Sequence, residues 1–338
     1  MGSSHNLTDT APSDAFLARF QNACPDGGVL SFERYMEIAL YDPEVGYYRQ
    51  SRPRVGYGAD TDFFTAATSG GVFGELITTA AEQLLDGNST EDYTFVEIGS
   101  ESEGGILKNV PHRFREVITM PFGEPLDIKG RCVVFSNELF DAQPCRRFIG
   151  RDGRWHELGI KCSTGLLEET VFEKPATETY LPAVAAEGYR IDAPQAAVTL
   201  LEQIARQPWE GLFIACDYGK SWVELTEATP GGTTRAYYRH TQSNDLLARP
   251  GDQDLTCHVC WDWLDDALKK HGFASPTLES QESFLIHHAG SKIAEISSQE
   301  AAKLSQRKLA LMQLLHPAHL GQKFQVLHSS RKSTDEDS

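Results

Sequence analysis

The chain has 338 residues, 40% of them hydrophobic and 23% charged, and carries a net charge of −17. That length allows a large core, built as one α/β domain with insertions or as a domain with a smaller helical companion. The charge repels phosphate backbones and anionic lipid, so a basic protein segment is the expected partner, with no nucleic acid and no membrane; no apolar run approaches the ~20 residues of a spanning helix.

In chain order, residues 1–14 are polar, include Asp9 and Asp14, lack arginine, and read as a disordered lead-in rather than a leader sequence. Ser31 followed by Phe32, Tyr35, Met36, Ala39 and Leu40 has the spacing of an amphipathic helix with a serine N-cap, stopped at Asp42-Pro43. Residues 42–68 form an aromatic-rich loop ending in Asp62-Phe63-Phe64-Thr65. A second helix carries Phe73, Leu76, Ile77, Ala80 and Leu84. These elements define a helical subdomain over about 15–90 within a domain spanning 15–328.

Short apolar runs at 93–98, 131–135 and 211–216 predict strands of a parallel sheet covered on both faces, with a helix over 194–207 before the last. Runs at 233–240, 254–260 and 283–288 predict further strands, and 261–271 a helix. The charged tail 329–338 reads as disordered. Seven cysteines, an odd number scattered along the chain, read as reduced thiols in a cytoplasmic setting.

Phe95-Val96-Glu97-Ile98-Gly99 is a strand ending in an acid and a glycine, the way nucleotide-binding α/β domains open their ligand loop. Tight turning and close backbone approach call for further glycines. Here Ser100-Glu101-Ser102-Glu103 intervene before Gly104-Gly105. Val133-Val134-Phe135-Ser136-Asn137-Glu138, with Asp141 and Pro144, places an amide and two carboxylates at a second strand end, and Ile214-Ala215-Cys216-Asp217-Tyr218-Gly219 repeats the arrangement. One strand-end acid is as readily a helix cap; three on one rim point to a ligand site.

Cys257-His258-Val259-Cys260 has zinc-like spacing. On a strand, positions i and i+3 face opposite sides and no second pair exists, so no metal is expected there. His316 and His319 around Pro317 read as surface residues, and there is no nucleophile elbow, Walker loop or kinase signature.

These residues, with Phe32-Glu33-Arg34-Tyr35-Met36, Tyr41-Asp42-Pro43, Gly46-Tyr47-Tyr48, Phe73-Gly74-Glu75, Arg235-Ala236-Tyr237 and Asp254-Leu255-Thr256, resemble the MidA-type family of S-adenosylmethionine-dependent methyltransferases. That family includes the mitochondrial protein arginine methyltransferase involved in respiratory complex I assembly. The resemblance implies an α/β, Rossmann-like seven-stranded methyltransferase sheet with an N-terminal helical region and insertions. It implies S-adenosylmethionine held by Glu97, Gly99, Gly104, Gly105, Thr65 and Asp217, and an acceptor positioned by Asn137, Glu138 and Asp141.

The chain departs from that pattern in two places. Glu101 and Glu103 stand where two of the family's glycines fall if no gap is allowed, whereas a one-residue insertion makes Gly104 the last glycine. From Glu97 to Asn137 the chain advances 40 positions (137 − 97), while one strand-helix-strand unit takes ~30 or more. A strand-helix unit is therefore expected to be missing there. Glu116–Met120 reads as a remnant second strand with no acid at its end for the ribose hydroxyls. The expected activity is methyl transfer to an arginine or other basic side chain, with weak or no cofactor binding. The alternative is a catalytically inactive binding or assembly factor on the same fold.

Overall fold

The computed structural model describes residues 10–25, 28–50, 71–100, 104–302 and 305–332. They divide into two compact units, one from 1–63, 141–197 and 220–260, the other from 64–140, 198–219 and 261–338.

In the first unit, Ser31 caps the helix Phe32–Tyr41 by accepting from the Arg34 amide at 3.2 Å, and the expected stripe Phe32, Tyr35, Met36, Ala39 and Leu40 is buried. It joins Phe16, Phe20, Tyr47 and Leu255 in one apolar core. Beside it an antiparallel sheet runs Val29–Ser31, Arg154–Ser163, Arg146–Arg151, Arg190–Ala193, with Leu166–Pro175 paired to Arg154–Ser163. The sequence reading placed no strand in this stretch. Arg154–Ser163 and above all Leu166–Pro175 are largely half-exposed, and the strands of this sheet are rich in charged residues, so they carry no apolar run. The sheet contains a buried ion pair, Arg147 Nε to Asp192 Oδ1 at 2.8 Å; Asp192 Oδ2 also accepts from the amides of Thr233 and Thr234 at 2.6 and 2.7 Å.

The second unit is built on six strands: β1 (Thr94–Ile98), β2 (Glu116–Met120), β3 (Gly130–Asn137), β4 (Trp209–Asp217), β5 (Ala274–Ser280) and β6 (Gln325–Arg331). Their order is β5-β6-β4-β3-β1-β2, with β2, β1, β3 and β4 mutually parallel and β6 antiparallel to both its neighbours. All five residues of β1 and most of β3 and β4 are buried, as strands covered on both faces require. Helices α1 (Gly71–Leu84), α2 (Trp261–Lys270), α3 (Gln281–Gln299) and α4 (Gln306–Leu315) accompany the sheet. Phe73, Leu76 and Ile77 of α1 and Phe284 of α3 meet Phe95, Phe135, Ile214 and Val326 of the sheet in a continuous core.

Residues 99–115, between β1 and β2, hold no helix or further strand among the described residues, and neither do 121–129. Among the described residues the strand-helix unit that the short interval forbids is missing, and the sheet has six strands where seven are implied. Three further expectations are corrected. Residues 283–288 lie in α3, not in a strand: Ser280 caps that helix through the Ser283 amide, and a six-residue apolar run does not by itself distinguish the two states. Ser329 to Arg331 lie in β6 rather than in a disordered tail, because the ladder pairs Ser329 with Phe213 and Arg331 donates to the carbonyls of Ala205, Gln207 and Trp209. The second predicted helix of the 15–90 subdomain belongs to the second unit. No helix among the described residues is long and apolar enough to cross a membrane, and all seven cysteines are free thiols.

Candidate functional site

From β1 the chain moves outward to β2 and then returns to the other side of β1 as β3, which creates a topological switch point between β1 and β3. In open α/β sheets ligands bind in the crevice outside the carboxyl ends of the strands at such a point. Two loops meet there. Gly99, at φ +78°, follows β1, and a side chain on it would lie 2.9 Å from Leu139 and 3.3 Å from Phe122. Its amide donates to the Met120 carbonyl at the end of β2, at 2.8 Å. Only glycine combines this backbone angle with so close an approach.

Glu97, on β1, turns into the same loop. Its Oε2 accepts from the Ile106 amide at 2.8 Å, and burial pushes its carboxyl up to about 7, with that hydrogen bond and one from Ser100 opposing the shift. Gly104 and Gly105 both have positive φ, and a Cβ on Gly105 would fall 2.0 Å from Glu97 Oε2. Glu97 thus closes the loop from inside, where Gly105 leaves it room.

Asn137 and Glu138 stand at the end of β3. Glu138 is held at φ +53°, an angle that costs a non-glycine residue about 1 kcal/mol or more and that accumulates at functional sites. Its amide donates to the Cys216 carbonyl at 3.0 Å, and its carboxylate receives Asn137 Nδ2 at 3.0 Å and the Tyr218 hydroxyl at 3.3 Å. Asn137 Oδ1 is buried and has no partner among the described residues. Tyr218 is fixed in turn by the Phe324 ring, 4.1 Å away between centroids, and Gly219 admits the Trp261 indole, whose N–H donates to Gln325 at 2.6 Å. Asp217 is fully buried; its two oxygens accept from the amides of Phe140 at 2.9 Å and Tyr218 at 2.8 Å, so it ties the ends of β3 and β4 together.

Of the residues singled out from sequence, Glu97, Gly99, Gly104, Gly105, Asn137, Glu138 and Asp217 therefore cluster at one rim of the second unit. Asp141 belongs to the first unit, where it is 2% exposed and its carbonyl accepts from the Cys257 amide. Thr65, Glu101 and Glu103 lie outside the described residues. The roles of Tyr218, Leu139 and Phe122 were missed. A tyrosine directly after a strand-end acid is a signal for the first; the apolar pair carries none. His258 of the Cys257-to-Cys260 motif is depressed to about 4, first by burial and then by Lys220 and Arg235.

A parallel sheet with one reversed strand and a topological switch point between β1 and β3 is the architecture of the Rossmann-like methyltransferase class. Residues 76–278 match the family described as "Putative S-adenosyl-L-methionine-dependent methyltransferase", and the chain belongs to that family. It is similar to a COG1565 superfamily protein from Burkholderia thailandensis crystallised with S-adenosyl-homocysteine, with TM-score 0.80 and 25% identity over 94% of this chain and 92% of that one. A native crystal structure of a COG1565 superfamily protein from the same organism matches with TM-score 0.76 and 23% identity over the same shares, a likeness of fold. No curated protein sequence matches.

S-adenosylmethionine is the cofactor this family implies, and the rim fits it in two respects. Gly99 brings bare backbone to the switch point, and Asn137 Oδ1 is an unspent buried acceptor beside it. Glu97 Oε2 is already taken up by the Ile106 amide.

Proposed function

We propose that the chain transfers the methyl group of S-adenosylmethionine to a basic nitrogen, an arginine guanidinium on a protein partner, at the rim of β3 and β4. The observation that carries this reading is Glu138. A carboxylate strained to φ +53° and braced by Asn137 and Tyr218 is a fixed acceptor for a planar guanidinium, which it would hold by charge-assisted hydrogen bonds. The cofactor would supply an electrophilic methyl group and leave as S-adenosyl-homocysteine, while the acceptor nitrogen gives up one N–H proton in exchange for the methyl. The chain's own part is to orient the acceptor nitrogen and to exclude water, which is where proximity earns its rate. The −17 net charge favours encounter with a basic partner segment. The MidA-type resemblance and the bound S-adenosyl-homocysteine of the Burkholderia thailandensis relative support the same reading.

The test pairs calorimetric titration with S-adenosylmethionine and transfer of labelled methyl groups to arginine-containing basic peptides. Glu138→Gln should keep cofactor binding within about threefold and lower transfer by at least ~100-fold, the loss of an interaction made to the reacting group. Undiminished transfer by this variant would remove Glu138 from the reaction. Failure of the parent chain to bind the cofactor would favour the noncatalytic assembly factor instead.

A further inference from the structure

We propose that Glu279, His288 and His328 form a binding site for one divalent transition-metal ion of the zinc type, separate from the methyl-transfer rim. The three side chains come from β5, α3 and β6. The ladder sets Thr277 opposite His328 and Glu279 opposite Val326, so Glu279 and His328 are diagonal neighbours on one face of the sheet. α3 starts directly after β5, and its second turn returns His288 over the same face.

Their donor atoms converge. Nε2 of His288 lies 2.9 Å and Nε2 of His328 3.3 Å from the same oxygen, Glu279 Oε2, and the three atoms lie within 4.8 Å of one another. Zinc–ligand bonds of about 2.0–2.1 Å imply ligand–ligand edges of about 3.3 Å in a tetrahedron, and the two edges from Glu279 Oε2, 2.9 and 3.3 Å, lie within about half an ångström of that value. The orientation is prepared as well. The Phe284 ring packs at 5.1 Å from His288 and 5.4 Å from His328, and His287 Nδ1 holds the other carboxylate oxygen at 2.6 Å, in the manner of partners that aim ligands. The ligand side chains are 14%, 19% and 10% exposed, enough to shield an ion while leaving it an entry path.

Two imidazoles and one carboxylate suit zinc, copper, nickel or ferrous iron and disfavour magnesium or calcium, which take oxygen ligands. The strand register puts Glu279 level with Val326, Cys216 and Asn137, three strand spacings or roughly 14 Å from the methyl-transfer rim. An ion there would clamp the β5–β6 edge to α3 rather than take part in transfer.

The full chain, stripped with chelator, should bind one equivalent of Zn²⁺ by calorimetry, and its Tm should rise by roughly 4 °C at a hundredfold excess over Kd. Mg²⁺ should do neither. Cobalt should bind with d–d absorption and no thiolate charge-transfer band, which separates this site from the seven cysteines. His288→Asn should weaken zinc at least tenfold with unchanged circular dichroism, and His288→Asn with His328→Asn at least a hundredfold. Absence of stoichiometric binding, a thiolate band, or affinity unchanged in the His288→Asn chain would overturn the proposal.

Discussion

Glu97 offers a pH test of how the loop after β1 is held. Burial raises its carboxyl from the ordinary 4.5 to about 7 in the folded chain. Below pH 4.5 the group is protonated whether the chain is folded or not. Between 4.5 and about 7 the unfolded chain has released the proton and the folded chain still binds it, so stability falls as pH rises; above 7 the loss is complete. One pH unit of displacement corresponds to 1.36 kcal/mol, so the span is worth about 3 kcal/mol. The measurement is urea denaturation of the parent and of Glu97→Gln from pH 4.5 to 8. The glutamine amide keeps an acceptor for the Ile106 amide and does not titrate, and the contributions of the other carboxylates cancel in the difference. The variant should gain about 3 kcal/mol on the parent across the range. A difference that stays flat within ~1 kcal/mol would mean that Glu97 is ionised in the folded state, held by the Ile106 amide and Ser100, and would refute the burial argument.

Three other perturbations follow from the same geometry. Gly105→Ala must place a Cβ 2.0 Å from Glu97 Oε2 at φ +59°; it should cost roughly 2–4 kcal/mol in urea titrations, and appreciably less in a Glu97→Ala background, so additive losses would show that the two residues do not meet. Asp192→Asn removes the buried one of the two carboxylates paired with Arg147, the other being the half-exposed Glu169, and should destabilise the chain by roughly 3–5 kcal/mol, whereas a loss under ~1 kcal/mol would mean that the pair is solvated. Glu101→Gly with Glu103→Gly should tighten S-adenosylmethionine in calorimetry if bulk and negative charge in the loop oppose it; no gain would place the limitation at the shortened β2 region.

The legible parts of the fold were those whose burial writes itself into composition. β1, β3 and β4 are covered on both faces, so their apolar runs stand out, and Ser31 announces the helix it caps. The chain length between Glu97 and Asn137 forecast the absent strand-helix unit without any residue-level signal, because a crossover has a minimum length. The antiparallel sheet of the first unit and β6 were illegible for the opposite reason. Arg154–Ser163 and Leu166–Pro175 are one-sided and polar, and β6 ends in Ser329-Ser330-Arg331, residues whose place is secured by ladder pairing and by Arg331 binding three carbonyls. Such bonds join positions over a hundred residues apart and leave no local pattern.

At the candidate site the same contrast separates residue type from residue duty. Strand-end position marked Glu97, Glu138 and Asp217 alike as acids of one rim, and the structure gives the three carboxylates different work. Glu97 and Asp217 spend theirs on backbone amides, Ile106 for the one and Phe140 and Tyr218 for the other, and are thereby scaffolding for two loops. Glu138 receives the side-chain donors Asn137 and Tyr218 on its carboxylate and sits at a backbone angle that nothing in its own chemistry favours. A carboxylate bound to amides is fixed by the fold it helps to build, while one braced by side chains can exchange a partner for a substrate without unravelling a strand. That distinction makes Glu138, of the three, the acid on which a test of transfer should be spent.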